Sequence, residues 1–211
     1  MINEWYNKTH GERTRDALRK NGFISEYFPE RSAAIDYISN LMHKDMRIGF
    51  GGSVTTSELG LHEVAKHKGA EIIDHHHAEL SDEERFLVMR EQLLSDLFIS
   101  SANAVTEKGE IVNVDHIGNR AAALIFGPRT KVVVIGANKI VADLDSAWKR
   151  IDREAAPKNN KRLNKPNPCV QTGYCVDCQG ETRICRSYVA IKKRPAIGEF
   201  HVVIIGENLG L

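Results

Sequence analysis

Residues 131–135 (Lys-Val-Val-Val-Ile) and 201–205 (His-Val-Val-Ile-Ile) each contain four consecutive β-branched apolar residues. Neighbouring side chains on a strand point to opposite faces, so such a run needs cover on both. That is the environment of a strand inside a parallel sheet sandwiched by helices. The rest of the chain supplies the helices. Residues 3–21 read as a helix closed by Gly22, and 23–28 as a short strand. A second helix starts at Pro29 with Ala33, Ala34, Tyr37, Ile38 and Leu41 at helical spacing. Residues 46–50 form a strand that runs into Gly51-Gly52, and Ser53 caps a helix extending to about Lys68. After a strand at 71–74, Ser81-Asp82-Glu83-Glu84 is a capping box with an apolar stripe behind it, Phe86, Met89, Leu93 and Leu97. A strand at 97–100 leads into a hairpin over 104–115 that turns at Lys108-Gly109. Helices follow at 120–125 and 142–155, then a Pro/Asn/Lys-rich loop at 157–168.

This alternation predicts an α/β fold: an open, mainly parallel sheet flanked by helices. Because 201–205 returns to the sheet, residues 1–211 read as a single domain, and 157–195 as a Cys-rich basic excursion within it. With 42% hydrophobic and 27% charged residues the chain has the profile of a globular protein, not a disordered one. The N-terminus lacks the apolar core of a secretory signal, and no run approaches the ~18 apolar residues of a membrane span. The expected setting is the cytoplasm, with no membrane partner. The net charge of +1 hides an asymmetry: residues 149–194 hold 12 Lys/Arg against four acids, so this segment is +8 and the remainder −7. A basic segment attracts anionic ligands or nucleic acid, and ordinary surface scatter is the alternative.

Three stretches carry candidate chemistry. The first, Gly51-Gly52-Ser53-Val54-Thr55-Thr56, passes from strand to helix, where free amide groups and the positive helix end suit a phosphate or carboxylate. It is neither a P-loop nor a dinucleotide fingerprint. Glu58, just beyond, is the candidate base or nucleophile, with a dipole-complementing role as the plainer reading. The second stretch holds Asn103 after one strand, and Asp115, Asn119 and Arg120 after the hairpin; Arg120 is the candidate carboxylate clamp. The third ends a strand at Lys139, which adds a point charge. In open α/β sheets, ligands bind at such carboxyl ends. The run His75-His76-His77 reads as a loop and not as a metal motif.

All four cysteines, Cys169, Cys175, Cys178 and Cys185, fall within 17 residues. In a cytosolic chain this concentration points to metal more than to disulfides. An iron–sulfur cluster, zinc, or unligated redox thiols all stay open, since the spacing matches neither a zinc ribbon nor a ferredoxin closely. Arg183 and Arg186 are expected to offset thiolate charge and lower the thiol pKa values.

Taken in order, Gly51-Gly52-Ser53-x-Thr55-Thr56-x-Glu58, Ser101-Ala102-Asn103-Ala104, Gly109 to Asp115, Gly118-Asn119-Arg120, Phe126-Gly127-Pro128 and Gly136-x-Asn138-Lys139 resemble the LUD-domain (lactate-utilisation) family. The likeness runs from about Arg13 to Ile151 and resumes at Val203-Ile-Ile-Gly-Glu-Asn-Leu-Gly210. The resemblance implies a fold related to sugar-phosphate isomerases, 5-formyltetrahydrofolate cycloligase and CoA-transferases. It places Gly51, Gly52, Ser53 and Thr55 in an anion-binding loop, and Glu58, Asn103, Asp115, Asn119, Arg120 and Lys139 around the pocket. It further implies a part in lactate oxidation to pyruvate beside iron–sulfur redox partner proteins. The cysteine tail looks like a subgroup feature, so no cofactor is carried over. The expected ligand is a small anionic hydroxy or keto acid, or a phosphorylated compound. A stand-alone isomerase or CoA-transferase-like enzyme using Glu58 is the second reading, and a metal-dependent sensor or nucleic-acid-binding module the third. Whether the isolated domain is catalytic stays open, as does a homo-oligomer.

Overall fold

The computed structural model describes residues 1–76 and 79–211. Helices α1 (Ile2–Lys20), α2 (Arg31–Ser39), α3 (Val54–Glu58), α4 (Leu61–His67), α5 (Asp82–Gln92) and α6 (Asn119–Phe126) surround a six-stranded sheet. Its strands are β1 (Ile24–Phe28), β2 (Arg47–Phe50), β3 (Glu71–Ile73), β4 (Leu97–Ser100), β7 (Thr130–Gly136) and β10 (Glu199–Ile205). Their order is β1-β10-β7-β4-β2-β3, and every pairing is parallel.

The valine-rich runs sit where their composition requires. In β7, Val132 and Val134 join one apolar layer with Ile48, Leu97, Val203 and helix residues Ala34, Ile38, Leu61 and Ala65. Val133 and Ile135 face the opposite layer with Phe98, Phe200, Ile204, Leu18 and Leu124. Both layers are buried, so neither face of the central strands meets water.

A second, four-stranded sheet covers part of that second layer. Its strands are β5 (Ala104–Thr106), β6 (Ile111–Asp115), β8 (Ile140–Val141) and β9 (Ser187–Ile191), in the order β8-β5-β6-β9. The hairpin β5–β6 is as expected, while β8 and β9 lie outside the expected strands; Tyr188, Val189 and Ile191 favour a strand, and pairing with β6 fixes it. Gly109 at the hairpin turn has φ +77°, and a Cβ there would lie 2.6 Å from the Ala17 carbonyl carbon. Only glycine lets this turn rest on the backbone of α1.

Several boundaries differ from the sequence reading. The helix after Ser53 is two helices, because Gly60 adopts a left-handed φ of +62° and breaks the ladder. The stripe behind Ser81 buries Met89, but Phe86 is exposed and Leu97 belongs to β4. The capping box itself forms as expected. The loop expected at 157–168 is half helical: α7 (Leu144–Arg150) runs through a π-helical turn, Ile151–Ala155, into α8 (Ala156–Arg162). Pro157 closely follows the π-helical turn inside this continuous helical run, and the widened turn accommodates its missing N–H. A short helix α9 (Cys169–Thr172) begins the cysteine segment. Among the described residues, no helix is long and apolar enough to cross a membrane.

Candidate anion-binding site

Strands β2, β4 and β7 are consecutive neighbours in the sheet. Their carboxyl ends therefore bring three sequence-distant loops together: Gly51–Val54, Ser101–Asn103 and the single 3₁₀ turn Ala137–Lys139. A cavity of about 430 Å³ opens at this edge. Gly51, Gly52, Ser53, Asn103, Asp115, Asn119, Arg120 and Lys139 all line it. Gly52 has φ +64°, and a Cβ on it would stand 2.1 Å from Cε1 of His76. The left-handed backbone favours glycine here, and the imidazole packs over the space a side chain would take. Ser53 caps α3, its hydroxyl accepting from Thr56 N at 3.4 Å.

Lys139 is the most unusual group here. It is 4% exposed, and its Nζ donates to Thr55 Oγ1 at 2.9 Å and Ser101 Oγ at 3.1 Å. Among the described residues no carboxylate pairs with it. Burial, reinforced by the nearby charges of Arg150 and Arg120 and opposed by that of Glu58, pushes its pKa down to about 7. Thr55 is therefore a partner of the lysine, not itself part of the cavity wall.

Arg120 differs from the expected free clamp. Its Nε and Nη2 hold Asp115 Oδ1 at 2.9 and 2.6 Å, and Nη2 also donates to Asn103 Oδ1 at 2.9 Å. Asp115 Oδ2 accepts from Ala121 N at 2.8 Å and so caps α6. Asn103 Oδ1 further accepts from Val114 N at 2.9 Å, which leaves its amide nitrogen as the end free to donate into the cavity. Arg120 and Asp115 thus form an internal pair that stiffens the wall. Glu58 is exposed and outside the cavity lining, its carboxylate accepting from Gly210 N at 2.8 Å, though its charge still reaches Lys139. This contact tethers the C-terminal segment, whose Leu211 does line the cavity.

Sequence reasoning missed much of the wall. Arg85, Arg162 and Lys165 join Arg120 and Lys139, so among the described residues five Lys/Arg side chains line the cavity against one acidic side chain, Asp115. Arg162 is carried by α8, the helix read as loop. Asn159 orients it, accepting from its Nε and Nη2 at 3.1 and 2.8 Å. Arg85 donates to His75 O at 2.8 Å and Leu80 O at 3.1 Å. A recurring Lys/Arg spacing at 158, 161, 162 and 165 was the available signal, hidden by the prolines around it.

Of the histidine run, His77 lies outside the described residues. His75 and His76 line the cavity, and the ligand atoms of Asp74, His75 and His76 lie within 4.8 Å of one another. Hydrogen bonding accounts for the grouping: Asp74 pairs with His62 Nε2 at 3.1 Å and His76 Nδ1 at 3.0 Å. Burial drives the His75 pKa down to about 4. The unfolded chain protonates this group near 6.5 and the folded protein only near 4. Stability should therefore rise with pH between those values, by about 3 kcal/mol in total. Urea unfolding of His75→Gln should show a flatter profile across that window; an unchanged slope would assign the effect elsewhere.

The cysteines lie beside this cavity, and Cys185 contributes to its wall. All four are free thiols. Contrary to the expected lowering, burial raises the thiol pKa values of Cys169, Cys175 and Cys185, the last to about 11. Arg183 opposes the shift only weakly at Cys175 and Cys185.

A parallel α/β sheet with a cation-lined cavity at its carboxyl edge places the chain among the open-sheet α/β proteins. Residues 11–205 match the LUD domain model, and the chain belongs to the LUD-domain family. Its fold is similar to that of a DUF162 family protein from Deinococcus radiodurans, known from a crystal structure, with 11% identity and a TM-score of 0.51. That likeness covers 94% of this chain and 98% of the other. No curated protein matches the sequence.

Proposed function

We propose that the cavity binds a small anionic acid, a 2-hydroxy or 2-oxo carboxylate or a phosphorylated ligand. We further propose that the protein serves lactate oxidation to pyruvate as one component of a redox assembly. The family's association with lactate utilisation supports the second part. One observation carries the first: Lys139 is buried at the cavity with only hydroxyl partners. A buried ammonium without a counter-ion is costly, and a bound carboxylate would supply the missing charge. The amides of the Gly51–Val54 turn and the free end of Asn103 would receive the remaining oxygens. The cavity is larger than a three-carbon acid fills, so a phosphorylated ligand stays within its reach. The transferase-like alternative would need Glu58 at the reacting atoms, and its carboxylate is engaged elsewhere.

Binding of an anion stabilises the protonated lysine. Above pH 7 the ligand-free protein has shed that proton, so binding takes one up and affinity falls as pH rises. Calorimetry with lactate, pyruvate and a sugar phosphate, in buffers of different ionisation enthalpy at pH 7.5, should show net proton uptake for the ligand that binds. Absence of binding by all three, or binding with no pH dependence between 6 and 8.5, would count against this site.

A further inference from the structure

We propose that Cys169, Cys175, Cys178 and Cys185 hold an iron–sulfur cluster against the wall of the ligand cavity. The proposal does not depend on the identity of the anionic ligand.

The segment from α9 to β9 lacks the means to hold itself in place by burial. Between Cys169 and Arg186 the buried apolar side chains are those of Cys169 and Ile184. Excursions with so little core are normally fastened by disulfides or metal, and none of these cysteines is in a disulfide. Hydrogen bonds nonetheless tether the backbones of three of these cysteines, Cys175, Cys178 and Cys185. Cys175 N donates to Asp152 O in the π-helical turn at 2.8 Å. Arg183 donates from Nη1 to Cys178 O at 2.7 Å and from Nε to Cys185 O at 2.7 Å, so one guanidinium spans two cysteine backbones. The same Nη1 reaches Asp177 Oδ1 at 2.6 Å. Asn167 and Thr182 close the base of the excursion, with Thr182 Oγ1 donating to Asn167 Oδ1 at 2.7 Å. Cys185 lies close enough to Cys169, Cys175 and Cys178 for their thiolates, once ionised, to push its own pKa up.

The four-thiolate donor set suits either a single zinc ion or an iron–sulfur cluster, and the surroundings of these thiols favour the cluster. Asp177 N donates to Cys175 Sγ at 3.4 Å. Backbone N–H groups aimed at sulfur are among the features that tune an iron–sulfur cluster's potential. The +8 surroundings of residues 149–194 suit an anionic thiolate-ligated cluster. Each thiol surrenders its proton to solvent as its iron–sulfur bond forms.

The full chain, purified anaerobically from iron-supplemented cells, provides the test. Iron and acid-labile sulfide should be present in comparable, stoichiometric amounts, with a broad visible absorption that dithionite bleaches. Cys175→Ser and Cys178→Ser change partly exposed positions. Each should lower iron per chain by roughly fivefold or more while far-UV circular dichroism is retained. One zinc per chain without sulfide would overturn the proposal, as would a colourless protein whose four thiols all react with a thiol reagent. Lactate, pyruvate and sugar-phosphate binding, measured on the same samples, separates the two ideas. A coloured protein that binds none of them leaves the cluster standing and removes the ligand reading; the reverse outcome removes only the cluster.

Discussion

Replacing Lys139 with methionine should make the ligand-free protein more stable at pH 6 and abolish its stabilisation by anionic ligands. The lysine's pKa of about 7 in the folded protein stands against 10.5 for a free lysine. Between these values the unfolded chain binds the proton and the folded protein does not, so wild-type stability rises with pH across that window. Below pH 7 the folded protein bears the whole cost of the buried charge, about 4–5 kcal/mol. Methionine removes that cost and forfeits the two hydrogen bonds to Thr55 and Ser101, worth about 1 kcal/mol each. A net gain of about 2 kcal/mol at pH 6 remains, shrinking towards pH 9. The comparison is best made below pH 9, before Cys185 begins to contribute with the opposite sign: its raised thiol pKa lowers stability as pH climbs from 9 to about 11. Urea denaturation of both proteins at pH 6, 7.5 and 9 measures the effect. A variant that is less stable at pH 6 yet still stabilised by ligand would show that Lys139 is a structural anchor and not an anion receptor.

Arg120→Ala should be the most damaging substitution at the site. Asp115 is 6% exposed and accepts two bonds from this guanidinium. Removing the arginine leaves a buried carboxylate with only the Ala121 amide, a loss of about 3–5 kcal/mol. Asn103 loses a donor in the same step, so the wall between β5, β6 and α6 loosens together. The double variant Arg120→Ala/Asp115→Ala should cost clearly less than the two single losses combined, because the pair is coupled. Arg120→Lys should recover only part of the loss, since an ammonium cannot span Asp115 and Asn103 as the planar fork does. Strict additivity in the cycle would refute the internal-pair account and return Arg120 to the role of a free ligand clamp. This substitution also lowers ligand affinity through a deformed wall, so Lys139→Met is the cleaner test of the binding site.

The two predictions depend differently on what the sequence reveals. Lys139 and Arg120 are both visible as cations near strand ends, and their residue types alone gave them equal standing as anion binders. Their environments divide them. Arg120 has a carboxylate five residues away that the turn through Gly118 folds back onto it. Lys139 finds only hydroxyls, from Thr55 and Ser101, which are 84 and 38 residues distant. No local pattern distinguishes a lysine that will meet an aspartate from one that will meet a threonine.

The amino-acid sequence by itself determined the parallel α/β layering, the Ser53 and Ser81 caps, the hairpin at Gly109 and the glycine turn after β2. Those features rest on side-chain period and backbone freedom, which act over a few residues. The tertiary structure alone decided the strand order that sets β2, β4 and β7 side by side, the partners that β8 and β9 find in β5 and β6, the helical course of α8 that brings Arg162 to the cavity, and the absence of Glu58 from its lining. Each of these depends on which surfaces meet across the sheet, and that choice is made by burial summed over the whole core.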